Sequence, residues 1–472
     1  MNDRPFGVAG GVDQPQLSRS DEIIRRTVSF VAPHGANIFV ALTLAFALLI
    51  LLGFVLLMLP QASALGEWTN PRTALFTATS AVTDTGLVTV ETGTYWSSFG
   101  QTVILILIQL GGLGFMTVTS FLLLMAGRRV LFRDFRVADA LGTNNVSDFG
   151  QLIRWTLGIT FVLEVAGILL LAFLLKGEGT SGHPWWAATF HAISSFNNAG
   201  FDTVGNGSSL ANYASNAQVL SVVAGLSFVG ALSAPVIIAL VNLMRRGHLG
   251  LDAKLALSTT LGLVVVGTLL IFLMELHNPD TLGPLGTPGK LMNSFFTSVT
   301  ARTTGYASVE MGALGLRVLF IIMILMFIGG VSGSTAGGIK VTTFSVLWLT
   351  AVSYIRGRRH VDFARQCIPE TQIHKAVAVV FFAIALVLGV ALILSATDDG
   401  IPFRDLSFET VSAFGTVGFS TGITSSLSAA GQFLLVFTMF VGRLGPLTVA
   451  LAFAESRELK EEEHPEAEVR VG

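Results

Sequence analysis

Long apolar runs recur along the whole chain and are separated by polar connectors. The runs lie at residues 37–59, 101–125, 152–175, 217–243, 255–274, 315–328, 339–355, 375–396 and 430–453. A helix needs about 20 apolar residues to cross the hydrocarbon core of a bilayer, and most of these runs are long enough. The runs at 315–328 and 339–355 are short and flank a glycine-rich break, so we interpret them as one interrupted helix. The pattern therefore predicts eight transmembrane helices.

Basic residues are concentrated in alternate connectors. They are Arg25, Arg26, Arg128, Arg129, Arg133, Arg136, Arg245, Arg246, Lys254, Arg356, Arg358, Arg359, Arg365, Arg457 and Lys460. Because connectors rich in Lys and Arg stay on the cytoplasmic side, we predict a multi-pass protein of the plasma (inner) membrane with both termini in the cytoplasm. Each of the other connectors contains a semi-apolar stretch too short to span, which is typical of re-entrant segments.

These short stretches form an internal repeat that aligns on one glycine in each copy. The glycines are Gly86, Gly200, Gly305 and Gly418, at intervals of 105 to 114 residues. A phenylalanine stands ten residues before each glycine, at Phe76, Phe190, Phe295 and Phe408. Ordinary loop glycines or close helix packing would not place four glycines in one register with phenylalanine. Repetition at a nearly fixed period indicates one structural unit per copy.

The unit is an outer helix, a short re-entrant helix, a loop and an inner helix. We therefore predict an all-α integral membrane protein with four such repeats in a pseudo-fourfold arrangement around a central pore. The predicted segments are a cytoplasmic N-terminal segment at 1–36, repeats at 37–130, 150–247, 253–358 and 373–455, and a cytoplasmic tail at 456–472.

Composition supports a membrane protein and excludes some other classes. The chain is 52% hydrophobic and 12% charged, whereas soluble domains carry about 25% charged residues. The net charge of −2 offers no general electrostatic attraction to nucleic acid. A single cysteine, Cys367, excludes an intramolecular disulfide framework.

The loops that contain the four glycines carry the candidate chemistry. Non-helical backbone at membrane depth is tolerated only when buried in protein or facing a water-filled cavity, and four such loops could meet at one axis. Their carbonyl oxygens could then replace the hydration shell of a cation such as K⁺, since glycine accepts the required backbone turn. The predicted cation-binding residues are Asp84, Thr85, Gly86, Asn198, Ala199, Gly200, Thr303, Thr304, Gly305, Thr416, Val417 and Gly418.

The residues around these glycines resemble the filter loops of the Trk/Ktr/HKT superfamily of K⁺ transporters. The matching segments are Ala81-Val-Thr-Asp-Thr-Gly-Leu-Val88, Phe196-Asn-Asn-Ala-Gly-Phe201, Thr300-Ala-Arg-Thr-Thr-Gly-Tyr306 and Phe414-Gly-Thr-Val-Gly-Phe-Ser420. Val441-Gly-Arg-Leu-Gly-Pro446 is similar to the last inner helix of the bacterial Ktr membrane subunit, and the likeness extends from about residue 37 to 454. The resemblance implies channel-like K⁺ uptake and no enzymatic activity. Because each loop has one glycine and so supports few stacked carbonyl rings, Na⁺ could also bind at the filter, with modest discrimination in favour of K⁺.

One residue departs from the family pattern. Asp84 lies two residues before Gly86, where the family usually has an uncharged residue. Its carboxylate could raise local cation occupancy, or it could hold a structural hydrogen bond behind the loop, since carboxylates inside membranes usually pair.

The interrupted helix is a second candidate site. Five of the ten residues from Gly329 to Gly338 are glycine, and each costs about 1 kcal/mol in a helix. In the resemblance this segment is an intramembrane gating loop; the alternative is a simple kink. Arg443 lies inside the last apolar run, where it could be an electrostatic barrier, pair with carbonyls of this segment, or snorkel. The predicted gate residues are Gly329, Gly330, Ser332, Gly333, Ser334, Thr335, Gly337, Gly338, Lys340 and Arg443.

The resemblance also implies partners. It indicates a homodimer that docks on a cytoplasmic ring of nucleotide-binding regulatory subunits. No covalent cofactor is expected, and nucleotide would bind only to that ring. Activation by Na⁺ is a further expectation. The basic connectors at 128–136 and 356–365 could be docking surfaces, although the positive-inside rule explains them equally.

Two other functions remain open at the level of sequence. Discontinuous helices also occur in Na⁺-coupled secondary transporters, which usually show two halves rather than four units. Gly330-Val-Ser-Gly333 matches a short pattern of intramembrane serine proteases. That chemistry needs a base beside Ser332, and the sequence places no histidine in the middle of a partner span.

Overall fold

The computed structural model describes residues 38–131, 147–176, 184–204, 209–246, 249–358 and 360–445. The N-terminal segment 1–36, the tail 456–472 and much of the basic connector 128–136 therefore lie outside the described residues. So do Arg25, Arg26, Arg359, Arg457 and Lys460.

The described chain is almost entirely helical and falls into four units of the same order. The outer helices are α1 (Ile38–Met58), α5 (Ser147–Leu175), α9 (Leu251–Glu275) and α13 (Glu370–Thr397). The short helices are α2 (Pro71–Val82), α6 (Pro184–Phe196), α10 (Thr287–Thr300) and α14 (Phe403–Gly415). The inner helices are α4 (Ser98–Leu131), α7 with α8 (Ala217–Gly230, Ala234–Arg246), α11 with α12 (Leu316–Phe327, Val341–Ile355) and α15 (Ala429–Leu444).

A few small elements complete the description. α3 (Thr92–Tyr95) precedes the first inner helix, and short 3₁₀ turns cover Pro60–Ala62, Ala211–Tyr213, Met311–Ala313 and Thr424–Ser426. The strands β1 (Asp362–Phe363) and β2 (Gln366–Cys367) form an antiparallel hairpin between α12 and α13.

Helix length alone identifies only part of the predicted spans. Among the described residues, four segments are long and apolar enough to cross a membrane: Ser98–Thr117, Ile153–Leu175, Leu251–Glu275 and Glu370–Thr397. α7 and α8 together would be a fifth, and α1, α11, α12 and α15 are apolar but have shorter qualifying lengths. The count of eight spans thus rests on the order of the repeats.

The second inner helix differs from the prediction. We expected residues 217–243 to form one uninterrupted span, but α7 and α8 meet at a bend of 103°. Pro235 stands in the first turn of α8, where its missing N–H does no harm and its ring disfavours continuation of α7. Within the described residues, two inner helices are therefore broken, not one.

Each short helix packs between its own repeat and the preceding one. In every repeat, one phenylalanine of the short helix is fully buried in a core that it shares with the inner helix of the repeat before. The pairs are Phe190 with Leu107, Phe296 with Leu220, Phe408 with Ile322 and Phe76 with Leu435. Because the last pair joins the fourth repeat to the first, the repeats close into a ring.

The outer helices present apolar side chains away from this ring. Leu48, Phe161, Leu269 and Leu388 are each more than half exposed. Large contiguous apolar surfaces are rare on soluble monomers. These faces therefore suit a surrounding hydrocarbon.

Candidate functional site

The four glycines of the repeat come together in one closed ring. A Cβ added to Gly86 would lie 3.2 Å from Gly200 Cα, one on Gly305 would lie 2.8 Å from Gly418 Cα, and one on Gly418 would lie 3.1 Å from Gly86 Cα. A Cβ on Gly200 would lie 3.8 Å from the carbonyl carbon of Gly305, which completes the circle. No residue larger than glycine fits at these positions without pushing the loops apart.

A carbonyl oxygen stands beside every glycine of the ring. A Cβ on each glycine would collide with the carbonyl oxygen of the residue just before the next glycine. These carbonyls belong to Ala199, Thr304, Val417 and Thr85. All four glycines have positive φ, between 66° and 98°, a conformation that costs glycine little. The ring therefore brings four backbone carbonyls together at one level.

The short helices aim their C-terminal ends at this ring. In the first, second and fourth repeats, the residue before the glycine donates its N–H to the carbonyl of a helix serine, at 2.8 to 3.0 Å. The residue two before the glycine is left-handed in the same repeats: Asp84, Asn198 and Thr416 have φ of 50°, 60° and 48°. Since the C-terminus of a helix carries partial negative charge, the arrangement favours a cation at the centre.

The third loop is built differently. Here the N–H of Gly305 itself donates to the carbonyl of the helix residue Thr300 at 3.0 Å, and the N–H groups of Thr304 and Thr303 donate to the same oxygen at 3.0 and 3.2 Å. No residue before Gly305 in this loop has positive φ. The turn is thus one residue shorter than in the other repeats.

The shorter turn corrects the phenylalanine alignment. Phe295, which stands ten residues before Gly305, is 39% exposed, whereas Phe296 is fully buried at the junction of repeats. Glycine spacing alone therefore selected the wrong phenylalanine in the third repeat. The helix register, set by the hydrogen bond to Thr300, selects the right one.

The predicted gate residues lie in an irregular segment between α11 and α12. We call residues 328–340 the broken segment. Its two ends pair with each other: Gly329 N donates to Ile339 O at 2.9 Å, and Ile339 N to Phe327 O at 3.2 Å. Gly333 and Gly338 have positive φ of 81° and 67°. The segment thereby satisfies part of its backbone inside protein, as the membrane interior requires.

The break in the second inner helix accepts hydrogen bonds from the broken segment. Val331 N donates to Ala231 O at 3.1 Å, and Thr335 Oγ1 donates to Gly230 O at 2.9 Å. The sequence reading missed these two acceptors. Pro235, four residues after Ala231, was the available signal for a helix start at this point.

The broken segment also contacts the glycine loops. The Asn198 amide is within 2.6 to 2.8 Å of the hydroxyls of Thr303, Thr304 and Thr335 in either orientation of its N and O atoms. A Cβ on Gly337 would lie 3.0 Å from Gly415 O, at the end of α14. The second and fourth loops therefore border the segment, and Arg302 of the third loop reaches it through a hydrogen bond to Gly329 O.

Two buried arginines donate to carbonyls of the broken segment. Arg443 Nη1 donates to Thr335 O, and its guanidinium lies over the Phe115 ring at 4.7 Å. Arg302 Nη2 donates to Gly329 O at 3.0 Å. Both side chains are at most 2% exposed, so neither snorkels. For Arg443 the structure shows pairing with the segment, one of the arrangements considered above.

The surroundings of Arg443 differ from the prediction in one respect. α15 ends at Leu444 and Gly445 has a positive φ of 87°, so Arg443 lies in the last turn rather than in mid-helix. A cation is favoured at a helix C-terminus. The remainder of the predicted run to 453 lies outside the described residues.

The remaining charged groups at this site are Lys340 and Asp84. Lys340 Nζ donates to Ala336 O at 2.6 Å and lies 5.3 Å from the Phe115 ring centroid. Asp84 accepts from Arg443 Nη2 and is 1% exposed. Arg302, by contrast, was not assigned a role from the sequence. A charge within an otherwise uncharged re-entrant stretch was the signal that could have found it.

Comparison with known proteins gives consistent matches over nearly the whole chain. The family model of TrkH, described as a cation transport protein, matches residues 36–462. The Ktr system potassium uptake protein B of Bacillus subtilis is 36% identical over 456 residues, which cover 96% of this chain and 99% of that protein. The potassium/sodium uptake protein NtpJ of Enterococcus hirae is 35% identical over 90% of this chain and 95% of that protein.

A solved structure shows the same fold. The crystal structure of the potassium transporter TrkH from Vibrio parahaemolyticus matches with a TM-score of 0.71 at 17% identity, covering 89% of this chain and 86% of that chain. This match confirms the predicted all-α membrane fold. The relatives are named as uptake proteins and not as enzymes, which agrees with the non-enzymatic prediction.

Proposed function

We propose that this chain, which belongs to the TrkH family of cation transport proteins, is a K⁺ uptake protein of the Ktr/Trk type. The cation would cross a channel-like pore through the ring of Gly86, Gly200, Gly305 and Gly418. The relatives named above as potassium uptake proteins cover almost the same length.

The closed ring of glycines is the observation that carries the proposal. Four carbonyls beside four positive-φ glycines are the kind of oxygen set that can replace water around a desolvated monovalent cation. Four short helices end at the same ring, and their C-terminal dipoles favour positive charge. A glycine that served only to form a turn would need positive φ but neither the neighbouring carbonyls nor the converging helix ends.

We further propose that the broken segment gates this pore. Its support is position and composition: it contacts residues of the second, third and fourth glycine loops, and its residues are small. A segment held by a limited set of hydrogen bonds can exchange between two arrangements, as gating requires. The gate residues would be those of the segment together with Arg443.

The partners expected from the resemblance are proposals as well. Relatives are named as components of a Ktr system, which supports a membrane subunit that works with other chains. We propose a homodimer that docks on a cytoplasmic nucleotide-binding ring, with both termini on that side of the plasma membrane. Activation by Na⁺ is proposed from the family resemblance alone, and direct Na⁺ coupling is the alternative.

Rb⁺ uptake by cells that lack their own K⁺ uptake tests the proposed function. Wild-type protein should support uptake, and Gly305→Ser should abolish most of it, because the new Cβ would strike Val417 O in a backbone at φ 66°. Gly262→Ser is the matched control, since Gly262 lies in α9 with no atom within 4 Å of an added Cβ. Absence of uptake by correctly inserted wild-type protein would contradict the proposal.

A further inference from the structure

We propose that Asp84 neutralises and positions Arg443, so that one buried ion pair ties the first glycine loop to the broken segment. This inference rests on the proposed cation uptake and adds the residue that sets the charge of the gate. Asp84 would act through Arg443 and not as a ligand of the transported ion.

The ion pair joins three repeats of the ring. Arg443 comes from the end of α15 in the fourth repeat, Asp84 from the loop after α2 in the first, and Thr335 from the third. The guanidinium donates to the Asp84 carboxylate through Nη2 and to the Thr335 carbonyl through Nη1. Because a guanidinium is planar and rigid, a shift of either partner is transmitted to the other.

The burial of this pair is unusual among the ion pairs of the described residues. Both side chains have a relative exposure of 0%, whereas the pairs His191–Asp202 and Arg404–Asp405 retain some exposure. Removing one member of a buried pair leaves an uncompensated charge and is strongly unfavourable. Each member of the pair therefore has a large effect on the other.

The space for the carboxylate is made by the first inner helix. A Cβ on Gly112 in α4 would lie 3.0 Å from Asp84 Oδ2, and Gly111 O is 3.5 Å from Arg443 Nη2. Asp84 has a φ of 50°, a left-handed backbone conformation that is uncommon for residues other than glycine. The carboxylate thus lies between the first inner helix and Arg443.

The local charge balance explains what the carboxylate does for transport. Lys340 and Arg443 both lie against the Phe115 ring, at 5.3 and 4.7 Å. Among the ion pairs of the described residues, the one that includes either of these cationic groups is Arg443 with Asp84. Without it, two cationic groups would stand beside the path of a third cation, and charges repel strongly at close range in a poorly hydrated interior.

A double-mutant cycle with two readouts tests the inference. The variants are Asp84→Asn, Arg443→Gln and the two combined, with thermal unfolding midpoints in detergent and Rb⁺ flux per folded protein in proteoliposomes. Asp84→Asn alone should lower flux by about ten-fold, since the charge of Arg443 is then uncompensated. In the Arg443→Gln background the same change should alter flux by no more than about two-fold, because coupled neighbours are not additive.

Glu275→Gln is the matched control. Glu275 is a buried carboxylate that accepts hydrogen bonds from Asn278, Thr281 and the backbone N–H of Gly315 at 2.6 to 2.8 Å. None of these partners belongs to the glycine ring. Its effect on the midpoint should be the same with and without Arg443→Gln. Additivity here shows that coupling to Asp84 is specific.

Two results would overturn the inference. One is an equal effect of Asp84→Asn in both backgrounds. The other is a changed K⁺/Rb⁺ reversal potential in Asp84→Asn that persists in the double variant, which would make Asp84 an ion ligand. If wild-type protein carries no Rb⁺, the proposed function fails, and the midpoint cycle alone decides the ion pair: coupling supports it and additivity excludes it.

Discussion

The amide of Asn198 is hydrogen-bonded to the hydroxyl of Thr335 at 2.8 Å. This contact links the loop of the second glycine to the middle of the broken segment, across 137 residues of sequence. The same amide bonds Thr303 and Thr304 of the third loop. These hydrogen bonds connect the ring to the broken segment, so a change in the segment is expected to reach the ring.

Thr335→Val removes this link at nearly constant volume. The hydroxyl also donates to Gly230 O at 2.9 Å, and losing both contacts should weaken the docked arrangement by about 1 to 2 kcal/mol. We therefore expect Rb⁺ flux to rise by about five-fold or more, with an unchanged reversal potential. Thr350→Val, which removes a hydroxyl bonded only within α12, is the control. Flux equal to wild type would argue against a gate at this position.

Arg302→Met tests the second arginine that holds the broken segment. The substitution keeps the length of the side chain but removes the donor to Gly329 O. A buried carbonyl that loses its partner costs about 1 to 3 kcal/mol, so the end of the segment should loosen. We expect a higher Rb⁺ flux in proteoliposomes at low K⁺. Lower flux with a normal unfolding midpoint would show instead that Arg302 assists conduction.

The two adjacent phenylalanines of α10 should differ strongly. Phe296→Ala empties a fully buried site between repeats, and such truncations cost about 3 to 5 kcal/mol. Phe295→Ala changes a side chain that is 39% exposed and should cost far less. Thermal unfolding in detergent measures both, and the opposite order would restore the register predicted by glycine spacing.

Ion discrimination should be modest. Each loop contributes one glycine, and the ring has one level of close carbonyl contacts, so fewer stacked carbonyl sites are available than in a multi-ring filter. Under bi-ionic conditions we expect Rb⁺ to be carried nearly as well as K⁺, and Na⁺ to be carried less well but measurably. Very high selectivity for K⁺ over Na⁺ would contradict this interpretation.

The sequence by itself determined the repeat and its glycines. Apolar runs of membrane length follow from the solvent, and a glycine in each loop follows from a local need for positive φ, met at all four positions. The glycine-rich break of the third inner helix could also be predicted from the sequence, because glycine disfavours a continuous helix. All of these are properties of short stretches, which carry their own conformational preference.

The tertiary structure alone decided which distant groups meet. Asp84 and Arg443 are 359 residues apart, and the sequence around either residue does not indicate the other as its partner. The bend at Ala231 and the choice of Phe296 over Phe295 depend on turn length and on acceptors supplied by neighbouring repeats. Buried charges and backbone groups take whichever partners the closed ring places beside them, so their roles emerge only when all four repeats are assembled.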